Sequence, residues 1–261
     1  MDRPLKIGID IDDVLNNLFP HWIEEWNKIS GQNLNYLDCK EWDLHKFIDD
    51  SDFPEFLKVI AKPEFYDTLK PDSLAQIILK ELIDAGAEIY IITGTYTPQH
   101  VLKEEWLKKH YPYIDLQNVL YVPRGAKHLV NVDIMIEDSP EDIEQFGCSV
   151  LLLNKTYNMD LQISARANIH RVNNWLEIRQ IFVDKYDLLP AENKEINEYN
   201  ESFGKQMFSD YEPLSEKLMK CKTVDDFAYL LNPYFEKMWN AGYSSALSDV
   251  ANSIKDLFPK E

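Results

Sequence analysis

Five short apolar runs, separated by segments of helical or loop character, limit most strongly what this chain can fold into. The runs lie at residues 5–11, 87–92, 118–122, 132–136 and 149–153. Each has the length of a buried strand. Strands that alternate with helices form parallel βαβ units, and the sheet they build is covered on both faces. The sequence therefore predicts an α/β, Rossmann-like parallel sheet with helices on both faces.

Helix signals occur in three of the intervals around these runs. They combine a polar cap at the start with a glycine or a basic residue at the end, and proline near the first turn. The residues that begin and end the helices are Asp72 or Ser73 with Gly86, Thr97 and Pro98 with His110, and Ser139, Pro140 and Asp142 with Gly147. We therefore expect helices over 72–85, 98–110 and 140–147.

The segment between the first strand and the first of these helices has a different character. Residues 16–70 are rich in aromatic side chains and show no clear strand, and helical patterns occur at 19–29 and 53–61. Aromatic residues at this density most often build a core of their own. The sequence predicts a small helical cap inserted after the first strand.

The pattern changes again beyond residue 183. Residues 184–211 are polar, Thr223-Val224-Asp225-Asp226 is a capping box, and an apolar helical stripe follows at 232–257. The stripe is expected to pack on the sheet domain or on neighbouring helices, and a homodimer interface is the less favoured alternative. We expect an α/β domain at 1–183 and a C-terminal helical extension at 184–261.

Composition limits the partners of the chain. A net charge of −18 argues against a nucleic-acid polymer or an anionic membrane, but allows a small anionic ligand held by a local cation. Three scattered cysteines without a CxxC spacing indicate neither a disulfide framework nor a zinc site. No signal peptide precedes the first strand, and no apolar run approaches the ~20 residues of a membrane span. These features predict a reduced, cytoplasmic protein.

Polar residues occur at the ends of four of the predicted strands. They are Asp10 and Asp12 after the first, Thr93 in the second, Lys127 in the loop beyond the third, and Glu137 and Asp138 after the fourth. Each acid pair alone could be a solvated loop. Because the carboxyl ends of parallel strands meet at one edge, we expect all of them in one crevice. Crowded carboxylates suit a hard cation such as Mg²⁺.

A phosphomonoester is a ligand whose hydrolysis such groups would serve. The reaction needs in-line attack, neutralised equatorial oxygens and a proton for the leaving alkoxide. One carboxylate can be the nucleophile through an aspartyl-phosphate, and a second can move the proton. Mg²⁺ would bind Asp10, a backbone carbonyl near Asp12 and a carboxylate of the 137–138 pair. The phosphate oxygens would meet Thr93, Lys127 and the backbone N–H of Gly94.

These stretches resemble the four motifs of the haloacid dehalogenase superfamily. The matching residues are Asp10-Ile11-Asp12-Asp13-Val14-Leu15, Ile91-Ile92-Thr93, Lys127 and Ile136-Glu137-Asp138. Within the superfamily the chain is most similar to the 5′(3′)-deoxyribonucleotidases, through the spacing of Lys127, Asp133 and Glu137-Asp138 and through the stretches at 152–158 and 171–175. The resemblance covers about residues 5–180 and not the last ~80 residues.

The resemblance implies a role for each motif residue. Asp10 would be the nucleophile, Asp12 the acid and base, and Asp138 a direct metal ligand, with Glu137 beside the metal. Thr93 and Lys127 would bind phosphate. In the cap, the aromatic side chains Phe19 and Trp42 would stack on a nucleotide base. Asp13 is expected to be a surface or loop acid without a chemical role.

The resemblance leaves alternatives open. The nucleotidases carry two aspartates where this chain has Glu137-Asp138, and the longer glutamate would alter the surroundings of the metal. The expected activity is Mg²⁺-dependent hydrolysis of a nucleoside monophosphate. A phosphatase for a sugar phosphate or another small ester is the runner-up. A non-catalytic receiver-like or nucleotide-binding protein is a further alternative, although a receiver carries its phosphoacceptor after a later strand.

Overall fold

The computed structural model describes residues 3–94, 99–141, 143–164, 168–200 and 202. The chain divides into two units, residues 1–172 and 173–261, and each is described by itself. The capping box predicted at 223–226 and the apolar stripe predicted at 232–257 lie outside the described residues. Among those that are described, no helix combines the length and the apolar character needed to cross a membrane.

The first unit is built on a six-stranded sheet. Its strands are β1 (Lys6–Ile9), β2 (Glu88–Gly94), β3 (Val119–Val122), β4 (Ile134–Glu137), β5 (Ser149–Leu153) and β6 (Ile169–Val172). Every neighbouring pair is parallel, and the order across the sheet is β3-β2-β1-β4-β5-β6. This is the Rossmann order, in which the connections leave β1 in opposite directions and open a crevice at the carboxyl ends. The α/β prediction is confirmed, and β6 is a strand that the sequence did not indicate.

The helices of the first unit are α1 (Leu18–Ser30), α2 (Phe53–Val59), α3 (Pro63–Thr68), α4 (Ser73–Asp84) and α5 (Gln99–His110). The predicted cap of α4 is present, because Asp72 accepts a hydrogen bond from the backbone N–H of Ala75 at 2.8 Å. In the second unit, α6 (Trp175–Asp184) begins at Asn174, whose side chain accepts from the backbone N–H of Glu177.

The helix predicted over 140–147 is wrong. Among the residues of this segment that the structure describes, 140–141 and 143–147, the one helical element is a short 3₁₀ turn, Ile143–Gln145. The carboxylate of Glu137 accepts the backbone N–H of Ser139 at 3.0 Å, and the Ser139 hydroxyl accepts the N–H of Glu141 at 3.1 Å. These local side-chain bonds hold the backbone in a turn, which competes with helix formation.

The insert after β1 is helical, as predicted, and has a core of its own. The Trp22 ring stacks on Phe56 with centroids 4.1 Å apart, and its indole N–H donates to the Phe56 carbonyl at 2.9 Å. The two connections of the insert meet where Asn16 and Pro71 form an antiparallel bridge. Beside them, the Leu15 carbonyl accepts from the buried Tyr111 hydroxyl at 2.7 Å. Entry and exit of the insert are therefore fixed to the sheet-bearing part at one point.

Gly8 in the central strand β1 is required by close packing. A Cβ at this position would lie 2.7 Å from Ile92 Cδ1 and 2.9 Å from Met135 Sδ. Both neighbours are fully buried on adjacent strands, and they have little room to move. Strand β1 can lie between β2 and β4 at this spacing because residue 8 has no side chain.

We expect Gly8→Ala to lower the free energy of unfolding by about 1–3 kcal/mol through overpacking. Gly147→Ala is the matched control, since a Cβ there meets nothing within 4 Å. Urea unfolding of the three proteins measures the difference. Equal midpoints for Gly8→Ala and Gly147→Ala would contradict the packing argument.

Candidate active site

Asp10 lies at the carboxyl end of β1 and is buried. Its backbone N–H extends the pairing with β4 by donating to the Ile136 carbonyl at 3.1 Å, which fixes the side chain at the sheet edge. One carboxylate oxygen, Oδ2, lies 2.7 Å from Lys127 Nζ. The other, Oδ1, is buried and accepts no hydrogen bond from the described residues. A buried carboxylate oxygen without a donor is costly unless a ligand or an ion completes it.

Lys127 joins Asp10 to Glu137, the last residue of β4. Its ammonium lies 2.8 Å from Glu137 Oε2 and 3.1 Å from Oε1. Burial alone would lower the pKa of Lys127, but the Asp10 and Glu137 carboxylates outweigh it and raise that pKa, so the lysine stays charged. Burial raises the pKa of Glu137, against the effect of Lys127. The predicted meeting of Asp10, Lys127 and Glu137 at one sheet edge is what the structure shows.

Asp138 completes an acidic cluster. One oxygen from each of Asp10, Glu137 and Asp138 lies within 4.8 Å of the other two, and all three residues are buried. Burial, followed by the Glu137 charge, raises the pKa of Asp138 well above its usual value. Three carboxylates at this spacing, one of them with an unpartnered oxygen, have the chemistry that fits a hard divalent cation.

The Asp12 carboxylate pairs with Lys103 and not with Lys127, the lysine that Asp10 contacts. Its Oδ2 lies 2.6 Å from Nζ of Lys103, a buried lysine on α5. The same ammonium donates to the Thr93 hydroxyl at 3.1 Å. Burial raises the pKa of Asp12, and Lys103 opposes that rise. Thr93 is fully buried, and its hydroxyl accepts this hydrogen bond from Lys103.

Sequence reasoning missed Lys103, although its position carried a signal. It lies three residues before Trp106 and four before Leu107, which are the buried apolar residues of α5. Positions three and four apart share one helix face, so Lys103 belongs to the buried face. A charged residue on such a face needs a partner, and Asp12 supplies it.

Asp13 was expected to be a surface or loop acid; it lies in the loop after β1, but it is not at the surface. Its side chain is buried, and its carboxylate accepts the backbone N–H of Phe19, near the start of α1, at 3.0 Å. Asp13 has a positive φ of 53°, a conformation that aspartate tolerates better than most residues. Burial raises its pKa to about 6. The hydroxyl of Tyr157, a second residue missed from the sequence, contacts both Asp13 and Asp138.

A cavity of about 750 Å³ opens onto these groups. Its wall combines the acids and Lys127 with aromatic residues of the insert, among them Phe19 and Trp42. Gly94, at the end of β2, lies on the same wall, and a Cβ there would meet only ordinary contacts, with Arg124 Cα at 3.8 Å and Lys127 Cε at 3.9 Å. Thr93 is not among the lining residues. The volume is in the range of sites that bury most of a small ligand.

The parallel sheet, the acids after its first and fourth strands and the helical insert define a hydrolase fold of the haloacid dehalogenase type. The structure is similar to a hydrolase of that family from Deinococcus radiodurans R1, which was solved with bound phosphate and sodium. The TM-score is 0.50 with 15% identity, over 73% of this chain and 100% of that one. At this identity the likeness concerns the fold alone.

The family model described as 5′ nucleotidase, deoxy (pyrimidine), cytosolic type C protein matches residues 3–188, and the chain belongs to this family. The 5′(3′)-deoxyribonucleotidase of Clostridium acetobutylicum is 28% identical over 189 residues, 72% of this chain and all of that protein. The protein of the same description from Bacillus subtilis (strain 168) is 27% identical over 179 residues, 67% of this chain and 96% of that protein. Family membership makes the chain a phosphoric monoester hydrolase and decides against the receiver alternative.

We expect Lys103→Met to lower the free energy of unfolding by about 1–3 kcal/mol, because it leaves the Asp12 carboxylate without its cation. The loss should be smaller than for a fully buried pair, since the Asp12 side chain is 30% exposed. Lys108→Met on the same helix removes an exposed pair with Glu104 and should cost about 0–1 kcal/mol. Chemical denaturation of both variants checks this, and equal stabilities would contradict a structural role for the Lys103 pair.

Proposed function

We propose that this protein is a Mg²⁺-dependent phosphomonoesterase that hydrolyses deoxynucleoside monophosphates through an aspartyl-phosphate on Asp10. The observation that carries the proposal is the Asp10 carboxylate itself. It lines the cavity, its Oδ2 is held by Lys127, and its Oδ1 is buried with no donor in the described part of the chain. A carboxylate held in this way at the wall of the cavity needs no rearrangement of the strand that carries it.

Asp12 would supply and recover the proton. As one Asp10 carboxylate oxygen forms its bond to phosphorus, the ester P–O bond breaks, and the Asp12 carboxyl gives its proton to the leaving alkoxide. A water molecule then attacks the phosphorus of the aspartyl-phosphate, and Asp12 takes a proton from that water. The bond between phosphorus and the Asp10 oxygen breaks, which restores the Asp10 carboxylate and releases inorganic phosphate. A pKa raised by burial suits this alternation, because the carboxyl must be protonated in the first half. Lys127 would balance charge on the phosphoryl oxygens.

Asp10 and Asp138, with a backbone carbonyl near Asp12, would hold Mg²⁺, which supplies positive charge to the transferring group. Glu137 would support this site and not bind the ion directly. Its carboxylate already accepts two bonds from Lys127 and the backbone N–H groups of Asp138 and Ser139. In this way the longer Glu137 side chain would keep the Lys127 ammonium between the carboxylates of Asp10 and Glu137. A phosphate contact from the Gly94 N–H belongs to the same proposal. The contact expected from Thr93 does not, because its buried hydroxyl accepts from Lys103 and Thr93 does not line the cavity.

The substrate would be a small phosphorylated metabolite with a flat base. The rings of Phe19 and Tyr157 pack edge to face, with centroids 5.7 Å apart. The centroid of the Trp42 ring lies 5.2 Å from that of the Tyr157 ring. Phe19 and Trp42 line the cavity, and the Trp42 indole N–H has no acceptor among the described residues. Aromatic walls of this kind favour a planar ligand. The cytoplasmic location and the possibility of a homodimer stay predictions from the sequence.

The nucleophile is tested by Asp10→Asn. We expect turnover of deoxynucleoside 5′-monophosphates to fall by a factor of about 10³ or more, since an amide oxygen is a poor nucleophile. Asp67→Asn, an exposed residue of α3, is the matched control and should keep wild-type turnover. Steady-state assays with Mg²⁺ measure both variants. Wild-type turnover in Asp10→Asn would contradict the proposed mechanism.

The substrate class is tested with a panel of phosphorylated metabolites. We expect deoxynucleoside monophosphates to exceed sugar phosphates in kcat/KM, because only a base can stack on the cap. Trp42→Leu should reduce kcat/KM for nucleotides by about 5- to 150-fold, the equivalent of about 1–3 kcal/mol of stacking. It should leave the sugar phosphates unchanged. A sugar phosphate preferred by both proteins would favour the runner-up activity.

A further inference from the structure

The hydroxyl of Tyr157 lies between two acids that are distant in sequence. It donates to Asp138 Oδ2 through the closer contact and lies 3.2 Å from Asp13 Oδ2. Tyr157 is buried, and it comes from the loop that follows β5. A phenolic hydroxyl carries a single proton, so it can donate fully to only one carboxylate, and the closer contact assigns that proton to Asp138.

The loop that carries Tyr157 is fixed to the backbone of Asp138 as well. The fully buried Asn158 side chain donates to the Asp138 carbonyl at 2.7 Å and to the Leu153 carbonyl at 2.8 Å. Its Oδ1 accepts the backbone N–H of Lys155 at 3.0 Å. Residues 157 and 158 together therefore hold Asp138 by its side chain and by its main chain.

On its other side, Tyr157 meets the start of the helical insert. Asp13, the second acid in contact with its hydroxyl, accepts the backbone N–H of Phe19 on α1. The Tyr157 ring lies against the rings of Phe19 and Trp42. One side chain thus touches an acid of the cluster, the turn that begins the insert and both aromatic residues proposed to bind the base.

We propose that Tyr157 is a positioning residue that orients the Asp138 carboxylate for Mg²⁺ and links it to the base-binding wall of the cap. The proposal rests on the proposed function, which makes Asp138 a metal ligand. A hydrogen bond to Oδ2 fixes the rotation of the carboxylate and leaves its second oxygen for the ion. Outer partners of this kind commonly set metal affinity, because a freely rotating ligand must be ordered when the ion binds.

The decisive variant is Tyr157→Phe, which removes the hydroxyl and keeps the ring against Phe19 and Trp42. We expect the apparent Kd for Mg²⁺ to rise by about 10- to 100-fold. At saturating Mg²⁺, kcat and the KM for a deoxynucleoside monophosphate should return to within about threefold of wild type. Calorimetric titration with Mg²⁺ alone, together with the Mg²⁺ dependence of turnover, measures these quantities. A merely structural tyrosine would lower the melting temperature and leave the Mg²⁺ affinity unchanged, and that result would overturn the proposal.

Two further variants are controls for the Mg²⁺ titration of Tyr157→Phe. Tyr113→Phe removes a hydroxyl that donates to the Gln76 carbonyl at 2.6 Å, outside the cluster, and should keep the wild-type Mg²⁺ affinity. Asp13→Asn retains an oxygen for the Phe19 N–H and leaves the Tyr157 hydroxyl to Asp138 alone, so its Mg²⁺ affinity should stay within about threefold of wild type. A loss in Asp13→Asn as large as that in Asp138→Asn would overturn the proposal, because Asp13 and not the Tyr157 contact would then determine the Mg²⁺ affinity.

The same titrations separate this inference from the proposed function. Asp138→Asn should abolish detectable Mg²⁺ binding in a folded protein. If the wild type binds no Mg²⁺, or if Asp138→Asn binds it normally, the metal site of the proposed function fails. If those two behave as expected and Tyr157→Phe binds Mg²⁺ like the wild type, only the role of Tyr157 fails.

Discussion

The ion pairs of Lys127 with Asp10 and Glu137 are the interaction on which the rest of the site depends. Asp10 directly follows β1 and Glu137 is the last residue of β4. These strands are parallel neighbours, so the sheet brings the two charges together before any ligand is present. Like charges at this distance in a buried setting would be strongly unfavourable without a cation between them. Lys127 can lie there because β3 ends at Val122 on the same edge of the sheet and the following loop turns back toward the centre.

The remaining acids contact separate partners. Asp12 has Lys103, and Asp13 and Asp138 share contact with the Tyr157 hydroxyl, which carries no charge. Within this group, five carboxylates face two lysines that bind them directly, so the site keeps an excess of negative charge. An anionic phosphate could not enter such a site on favourable terms unless a divalent cation came with it. The proposed Mg²⁺ therefore follows from the charge balance as well as from the oxygen ligands.

The sheet and the convergence of its polar ends could be predicted from sequence because parallel topology leaves little choice. Once the runs at 5–11, 87–92 and 132–136 are parallel strands, Asp10 and Glu137 lie at the same edge of the sheet. The structure adds that β1 and β4 are neighbours. Lys103 and Tyr157 follow no such rule. Lys103 is one of several lysines on α5 and only its place beside Trp106 and Leu107 marks it, while Tyr157 reaches the cluster through a loop whose path depends on Asn158. Asp13 was misjudged because most loop acids are solvated, and its burial arises from the Phe19 N–H that it accepts.

The most direct test of the account is to trap the intermediate that assigns Asp10 its role. Wild-type protein is mixed with a deoxynucleoside monophosphate and Mg²⁺, quenched in acid within milliseconds, and treated with borohydride, which reduces an acyl phosphate to an alcohol. Peptide mass spectrometry then locates the reduced side chain. The account predicts reduction at residue 10, dependent on substrate and absent without it. Reduction at another carboxylate, or turnover with no trapped residue at any quench time, would contradict it.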